Sequence, residues 1–297
     1  MRPCCPKCRI QVSLSESRPT VVCNGSFRRR SDRALIHRFR CQKCLVGFSW
    51  ATLDPCYRQK KRQINSILQG LLASGVSQRR AALLLAVNPK TVVRKFVFLG
   101  QSAQVHLAYS NLLFPRTLEI QFDDMETFEH TKCKPLSITL AVEQSSRRIL
   151  GFQVSQMPAK GKLAKIARAK YGPREDHRPE GRKKLLLNLQ SLLKNNPIIK
   201  SDENPHYPKD LMRFFPKARH VTYKGRRGCV VGQGELKKIG FDPLFSLNHT
   251  CAKLRADVNR LFRRTWCTTK KPERLALHLA IAADFHNWHL TGALRSI

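Results

Sequence analysis

Two aspartates hold the clearest chemistry in this sequence. Leu118-Glu119-Ile120-Gln121-Phe122-Asp123-Asp124 alternates apolar and polar residues as a strand with one buried face does, and it closes on carboxylates. Pro197-Ile198-Ile199-Lys200-Ser201-Asp202 is a second short apolar run ending in an acid. A carboxylate at the end of a buried strand is costly unless it is paired or engages a metal. Two strand-end acids that meet on one rim of a mixed sheet can hold a divalent cation, and Asp123 and Asp202 are the pair expected to do so. Asp124 alternates onto the opposite face from Asp123.

A second metal site is written in the cysteines. Of the 11 in the chain, seven precede residue 57. Cys5-Pro6-Lys7-Cys8 and Cys41-Gln42-Lys43-Cys44 are two CxxC knuckles, each able to set two thiolates on one tetrahedral ion. Cys5, Cys8, Cys41 and Cys44 are therefore the expected ligands of a closed structural zinc, with Cys4, Cys23 and Cys56 as possible substitutes. A disulfide framework is disfavoured by the odd count and by an opening stretch without the apolar run of a secretory leader. The later cysteines, Cys133, Cys229, Cys251 and Cys267, are isolated and read as packing residues.

The 297 residues carry 55 Lys and Arg against 20 Asp and Glu, a formal charge of +35. A fold needs no such excess, which weakens it by self-repulsion, so a polyanionic partner is implied, with nucleic acid ahead of membrane. No stretch of about 18 apolar residues exists to span a bilayer. The expected location is cytoplasmic, with the nucleoid.

Three segments must position these groups, and together they give an α/β, multidomain fold. Residues 1–56 form a basic zinc ribbon, with Arg28-Arg29-Arg30, Arg33, Arg38 and Arg40 between the knuckles; Phe48, Trp50 and Tyr57 are expected to pack over the metal. Residues 57–114 read as a helical DNA reader and linker. Ile64, Ile67, Leu68, Leu71 and Leu72 have helical spacing, and Gly75 breaks that helix. Ser77 caps a second helix to Leu85, with Ala81, Leu84 and Leu85 inward. Asn88 caps a third, with Pro89 in its first turn. The layout is that of a helix-turn-helix, with Arg79 on the second helix and Lys90, Thr91, Arg94 and Lys95 on the exposed face of the third, available to duplex DNA.

Residues 115–297 read as a catalytic domain. Strands ending at Asp124, over residues 135–142 and over 148–154, are joined by short links and imply an antiparallel meander. A basic stretch from Lys160 to Lys184 can hold phosphate backbone. An amphipathic helix from Lys184 to Lys194, with Leu185, Leu186, Leu189, Leu192 and Leu193 inward, delivers the strand ending at Asp202, and residues 220–223 form a further strand. A Gly-rich passage with Glu235 precedes a long helix, Phe245 to Arg264, on which Asn248 and Arg255 share a face two turns apart. A last helix runs from Pro272 to Trp288.

Phe122-Asp123-Asp124-Met125-Glu126-Thr127-Phe128, Lys200-Ser201-Asp202, and Asn248 through Arg255 with Arg260-Leu261-Phe262-Arg263-Arg264-Thr265-Trp266 together resemble the bacterial insertion-sequence transposases of the DDE type. The likeness covers nearly the whole chain, since the zinc ribbon and helix-turn-helix also match that layout. It implies a ribonuclease H-like catalytic domain binding Mg²⁺ or Mn²⁺. Asp123 and Asp202 take the aspartate roles, and Arg255 takes the basic, DNA-contacting role. Asn248 stands where the family has a glutamate. An amide oxygen binds Mg²⁺ more weakly than a carboxylate, and Glu235 or Asp242 could supply the missing charge. The activity implied is cleavage at the 3′ end of the element and transfer of that end to target DNA, by a homodimer or larger assembly on double-stranded DNA. Two other readings remain: a transposase-derived regulator whose catalytic site has decayed at Asn248, and a ribonuclease H-like nuclease that cuts without joining.

Overall fold

The structure, a computed structural model, describes residues 3–8, 20–30, 32–224, 242–262 and 267–292. Glu235, Cys229, Arg263 and Arg264 lie outside the described residues. The chain is mixed α/β with two sheets and divides into two compact units, Met1–Asn65 and Ser66–Ile297. No helix among the described residues is long and apolar enough to cross a membrane.

The first unit is a three-stranded antiparallel sheet, β1 (Val21–Arg28), β2 (Leu35–Cys41) and β3 (Gly47–Ser49), followed by the short helix α1 (Trp50–Leu53). Its apolar centre is Cys5, Val21, Phe39, Cys41 and Phe48. Phe39 on the middle strand meets Phe48 at 5.8 Å and Trp50 edge-on at 5.6 Å. Tyr57, expected over the same centre, is instead exposed. Strand alternation leaves Arg28, Arg38 and Arg40 in solvent.

The second unit opens on α2 (Asn65–Ala73), α3 (Gln78–Leu84) and α4 (Pro89–Leu112). The caps fall where the sequence places them. Ser77 accepts from the Arg80 N–H at 3.2 Å, and Asn88 Oδ1 accepts from the Lys90 N–H at 2.8 Å with Pro89 in the first turn. Two expectations fail here. Ala81 and Ala82, not Leu84, are the inward residues of α3, and Leu84 is 61% exposed. Lys95 is not on the exposed face of α4 but buried, three residues after Val92 and four before Leu99 on the stripe that packs inward.

The third helix is also longer than expected. Residues 103–113, helix-like in sequence and expected as the linker, instead carry α4 on without a break to Leu112, making 24 residues and about 36 Å of helix, with Leu113 as its C-cap. Its buried face shares one core with Ala280 and Ile281 of the last helix, α9 (Pro272–Thr291). At Gly100 a Cβ would lie 2.6 Å from Leu277 Cβ, so only glycine permits this approach of α4 to α9.

The main sheet has five strands: β4 (Thr117–Phe128), β5 (Pro135–Glu143), β6 (Ile149–Gln156), β7 (Leu193–Asp202) and β8 (Arg219–Tyr223). Their order is β6-β5-β4-β7-β8. The first three form the antiparallel meander, while β7 and β8 run parallel to β4. Between β6 and β7 lie α5 (Leu163–Tyr171) and α6 (Arg178–Leu189); α7 (Tyr207–Phe214) joins β7 to β8; α8 (Phe245–Asp257) precedes α9.

Alternation on the strands sends side chains into two apolar layers. Met125, Leu136, Ile138, Leu140 and Val142 pack with Leu247 and Leu254 of α8 and Leu275 and Leu279 of α9. Ile120, Phe122, Ala141 and Ile199 pack with Leu185 and Leu189 of α6 and Tyr207 and Leu211 of α7. Helices therefore cover both faces of the sheet.

Three boundaries differ from expectation. The amphipathic helix begins at Arg178 and ends at Leu189, so Leu193 belongs to β7 rather than to the helix. Asp257 ends α8, and a single 3₁₀ turn, Asn259–Leu261, follows. Most relevant to the site, β4 does not stop at Asp124. The antiparallel pairing with β5 carries it on to Phe128, opposite Pro135.

Candidate functional site

The two sequence-predicted aspartates are brought together by register. On the parallel β4–β7 pair, Ile120 lies opposite Ile199 and Gln121 opposite Lys200. Carried two residues further, the same register sets Asp123 opposite Asp202. Residues side by side in a parallel pair project to the same face. Asp202 is the last residue of β7, whereas Asp123 lies within β4. The acids thus mark the point where the parallel ladder ends and β4 continues with β5 alone.

The electrostatics agree with the register. Burial, then the neighbouring charge of Asp202, pushes the Asp123 carboxyl from 3.8 up to about 6. Two hydrogen bonds oppose this, from the Asp124 backbone N–H at 2.6 Å and from the Tyr207 hydroxyl at 3.0 Å, both on Oδ1. Asp202 is raised as well, first by burial and then by Asp124 and Glu203, while the Asn204 N–H at 3.1 Å holds its ionised form. Among the described residues neither Asp123 nor Asp202 forms an ion pair with a basic side chain. Two crowded carboxylates with no resident cation fit the demand of a divalent ion. Among the described residues, neither aspartate belongs to a group of three or more His, Cys, Asp or Glu ligand atoms lying within 4.8 Å of one another.

Asp124 faces the other way, as alternation requires. Its Oδ1 accepts from the Thr139 hydroxyl at 2.5 Å, across the ladder on β5.

Helix α8 is pinned beside the pair by Gln121. Its Oε1 accepts from the Leu247 N–H at 2.9 Å, and its Nε2 donates to the Pro243 carbonyl at 3.0 Å. Asp123 is two residues further along the same face of β4, and Cys251 is one turn further along α8. Burial pushes the Cys251 thiol up to about 11; Arg255 opposes the rise and Asp123 adds to it, so the three share one neighbourhood. Asn248 and Arg255 lie on the flank of α8 that carries Cys251, and both are exposed. The Asn248 amide donates to Asp242 Oδ2 at 3.0 Å. Asp242, one of the two alternative carboxylates, is therefore at the site's edge.

Tyr207 is the residue at the candidate site that the sequence hid. It is fully buried at the start of α7, its ring 4.5 Å from Phe122, and its hydroxyl reaches Asp123. Burial and the acids Asp124, Asp123 and Asp202 raise its own pKa far above the usual phenol range, so it remains a donor. An aromatic five residues after a strand-end acid is the only signal the sequence carries for it.

The cysteine cluster lies in the first unit. Cys5, Cys8, Cys41 and Cys44 hold their sulfurs within 4.8 Å of one another, close enough to bind one metal ion and compatible with a structural zinc. Tetrahedral Zn–S bonds of about 2.3 Å need sulfurs about 3.8 Å apart, and Cys5 and Cys44 are at 3.5 Å. The backbone N–H groups of Cys44 and Lys43 pull the Cys41 thiol down to about 7, the usual effect of a knuckle on its first cysteine. Cys4 and Cys23 are exposed and outside the group, and Cys56 is buried elsewhere, accepting from Asn65 Nδ2 at 3.4 Å.

Of the residues expected to read DNA, Arg79, Lys90 and Arg94 are exposed and Thr91 is half-buried; Lys95, being buried, leaves the set.

The raised Asp123 carboxyl has a consequence for the metal-free protein. The folded state binds more protons than the unfolded one between pH 3.8 and about 6, so stability falls as pH rises through that window. The loss is about 3 kcal/mol at most. Asp123→Asn is expected to flatten this decline in a series of melting curves, and Mg²⁺ is expected to stabilise the unsubstituted chain above pH 6 but not Asp123→Asn. An unchanged pH dependence in Asp123→Asn would refute the assigned burial cost.

A scan against models of protein families and a search of curated proteins found no match to this chain.

Proposed function

We propose that this protein is a DNA transposase of an insertion sequence. In this reading it binds the terminal repeats of an element, cleaves their 3′ ends and joins them to target DNA. The observation that carries the proposal is the β4–β7 register, which sets Asp123 beside Asp202 with both carboxyls raised and neither ion-paired. The strand order supports a ribonuclease H-like domain, since an antiparallel meander followed by strands parallel to its first member is the arrangement that fold requires.

Mg²⁺ or Mn²⁺ at Asp123 and Asp202 would supply Lewis-acid stabilisation of the attacking and leaving oxygens in an in-line displacement at phosphorus. The chain's own groups prepare that site. Tyr207 and the Asp124 N–H fix the Asp123 carboxylate by its Oδ1, leaving Oδ2 for the ion. Asn248 stands at the mouth as the third polar group, backed by Asp242. Arg255, two turns on and exposed, offers a guanidinium to a phosphate. The capped helix α4 presents Lys90, Thr91 and Arg94, with Arg79 from α3, as the face for a major groove. The cysteine cluster holds zinc and displays the arginines of β1 and β2 to backbone phosphates. Double-stranded DNA is the partner, and handling two ends together calls for a homodimer or larger assembly in the bacterial nucleoid.

One observation favours a second reading. Asn248 is uncharged and already engaged with Asp242, as it would be in a transposase-derived regulator that binds DNA without cutting.

The test uses full-length protein, labelled DNA from the flanks of the coding region, a target plasmid and Mg²⁺. Joined product that vanishes in Asp123→Ala and Asp202→Ala is the expected result. Sequence-specific binding with no cleavage in either Mg²⁺ or Mn²⁺ would replace the transposase by the regulator, and cleavage without joining would leave a nuclease.

A further inference from the structure

A cleft of about 460 Å³ opens between α5 and the turn that joins β4 to β5. Its size falls in the range of about 300–1,000 Å³ usual for small-molecule and nucleotide pockets. Pro158, Ala159, Ala164 and Ala167 line it with small apolar surfaces, and Tyr171 stands at its edge. The rest of the lining is largely polar, with Lys134, Gln156, Arg168 and Arg174 among it. Lys134 Nζ lies 4.6 Å from the centre of the Tyr171 ring, and Lys170 Nζ lies 5.6 Å from it. Cation–π contact orients an ammonium without neutralising it.

The charge is unanswered by the protein. Arg174 is tied to Glu129 at 3.1 Å, but Lys134, Arg168 and Lys170 form no ion pair among the described residues. The carboxylate in the lining, Glu175, is turned to solvent and pairs with His177 at 3.0 Å. Two residues along the chain from Pro158, Lys160, paired with Glu126 at 2.8 Å, shares a second hollow with Asp202, Glu203, His206 and Arg178, which is paired with Asp176, so the hollow connects the cleft's neighbourhood to the acidic rim.

We propose that this cleft takes one unpaired nucleotide of a DNA strand. The base rests on the apolar lining and Tyr171, and the phosphate meets Lys134 and Arg168. A base still paired in a duplex cannot leave the stack to enter so narrow a space, so the ligand is a single-stranded or extruded nucleotide. The proposal rests on the functional reading above only in taking the strand to come from the acidic rim.

The test measures binding, not activity. Fluorescence anisotropy compares a blunt duplex with the same duplex carrying a short single-stranded tail, using full-length zinc-loaded protein bearing Asp123→Asn and no added Mg²⁺. The tailed DNA is expected to bind more tightly, on the order of tenfold, as one stacked base provides. Ala164→Trp, which fills the cleft, and Arg168→Ala, at an exposed position that leaves folding intact, are both expected to bring the tailed-to-blunt ratio close to unity. Ala164→Trp should leave blunt-duplex affinity unchanged. The proposal is overturned if the parent shows no tail preference, if Ala164→Trp keeps it, or if Arg168→Ala weakens both DNAs equally. Strand joining without tail preference would remove the cleft site and leave the transposase, whereas tail preference without joining would do the reverse.

Discussion

Asp123→Ala is expected to lower metal-dependent strand joining by on the order of 10³-fold or more, with binding of duplex DNA unchanged. The size follows from the role. A metal-held phosphoryl oxygen contributes several kcal/mol of transition-state stabilisation, and each 1.36 kcal/mol is about tenfold in rate. The β4–β7 register, carried two residues past Gln121 and Lys200, sets Asp123 opposite Asp202, so its loss removes one of the two proposed ligands of the ion. In the proposed reading, duplex binding is assigned to the exposed cations of α3 and α4, which Asp123→Ala does not touch, and should not respond.

Tyr207→Phe makes the argument sharper, because it removes only the hydroxyl that donates to Asp123 at 3.0 Å. A hydrogen bond to a charged group contributes about 1.5–3 kcal/mol, so a loss of about 10- to 100-fold is expected. The hydroxyl favours the ionised form of a carboxyl already raised to about 6. Its removal should move the acid limb of the pH–rate profile upward, a shift that a packing defect alone would not produce. If Asp123→Ala retains joining, or if Tyr207→Phe lowers the rate with the acid limb unmoved, Asp123 does not hold the ion.

How much of this could be read from the chain depends on the range of the interaction involved. The alternation in 118–123, the CxxC spacing and the caps Ser77 and Asn88 are local, and each marks an element that the structure contains. The length of β4 is not local. Asp123 and Asp124 look like a strand end, but the ladder with β5 extends the strand to Phe128. The fate of residues 103–113 is likewise decided by α9, whose Leu277 closes on Gly100 and keeps α4 continuous. The charge of Lys95 points to the surface, but its position does not, since the stripe of Val92, Phe96 and Leu99 passes through that turn. Tyr207 reads as an ordinary core aromatic, since nothing near it in the chain reveals that its hydroxyl meets an acid 84 positions away.

Cys41→Ser is expected to release the metal and unfold the first unit while the second keeps its own melting transition. Apart from the two ligands Cys5 and Cys41, the centre of that unit is Val21, Phe39 and Phe48. Below about 70–80 residues a single apolar core rarely supplies more than about 3–5 kcal/mol, and small domains depend on a staple. Structural zinc provides about 10–16 kcal/mol of apparent binding energy in comparable small folds, so folding and metal binding become one event. The second unit has separate apolar layers on both faces of its sheet and needs no such support. Because the ligands must be thiolates, protons compete with zinc for the sulfurs, and a chelator of fixed affinity should remove the metal more readily at lower pH. Cys23→Ser provides the contrast, since that cysteine is exposed and outside the cluster, and should change neither zinc content nor folding. The readouts are zinc stoichiometry and the number of calorimetric transitions. A Cys41→Ser protein that retains one zinc per chain and both transitions would show that the four cysteines are not what holds this unit together.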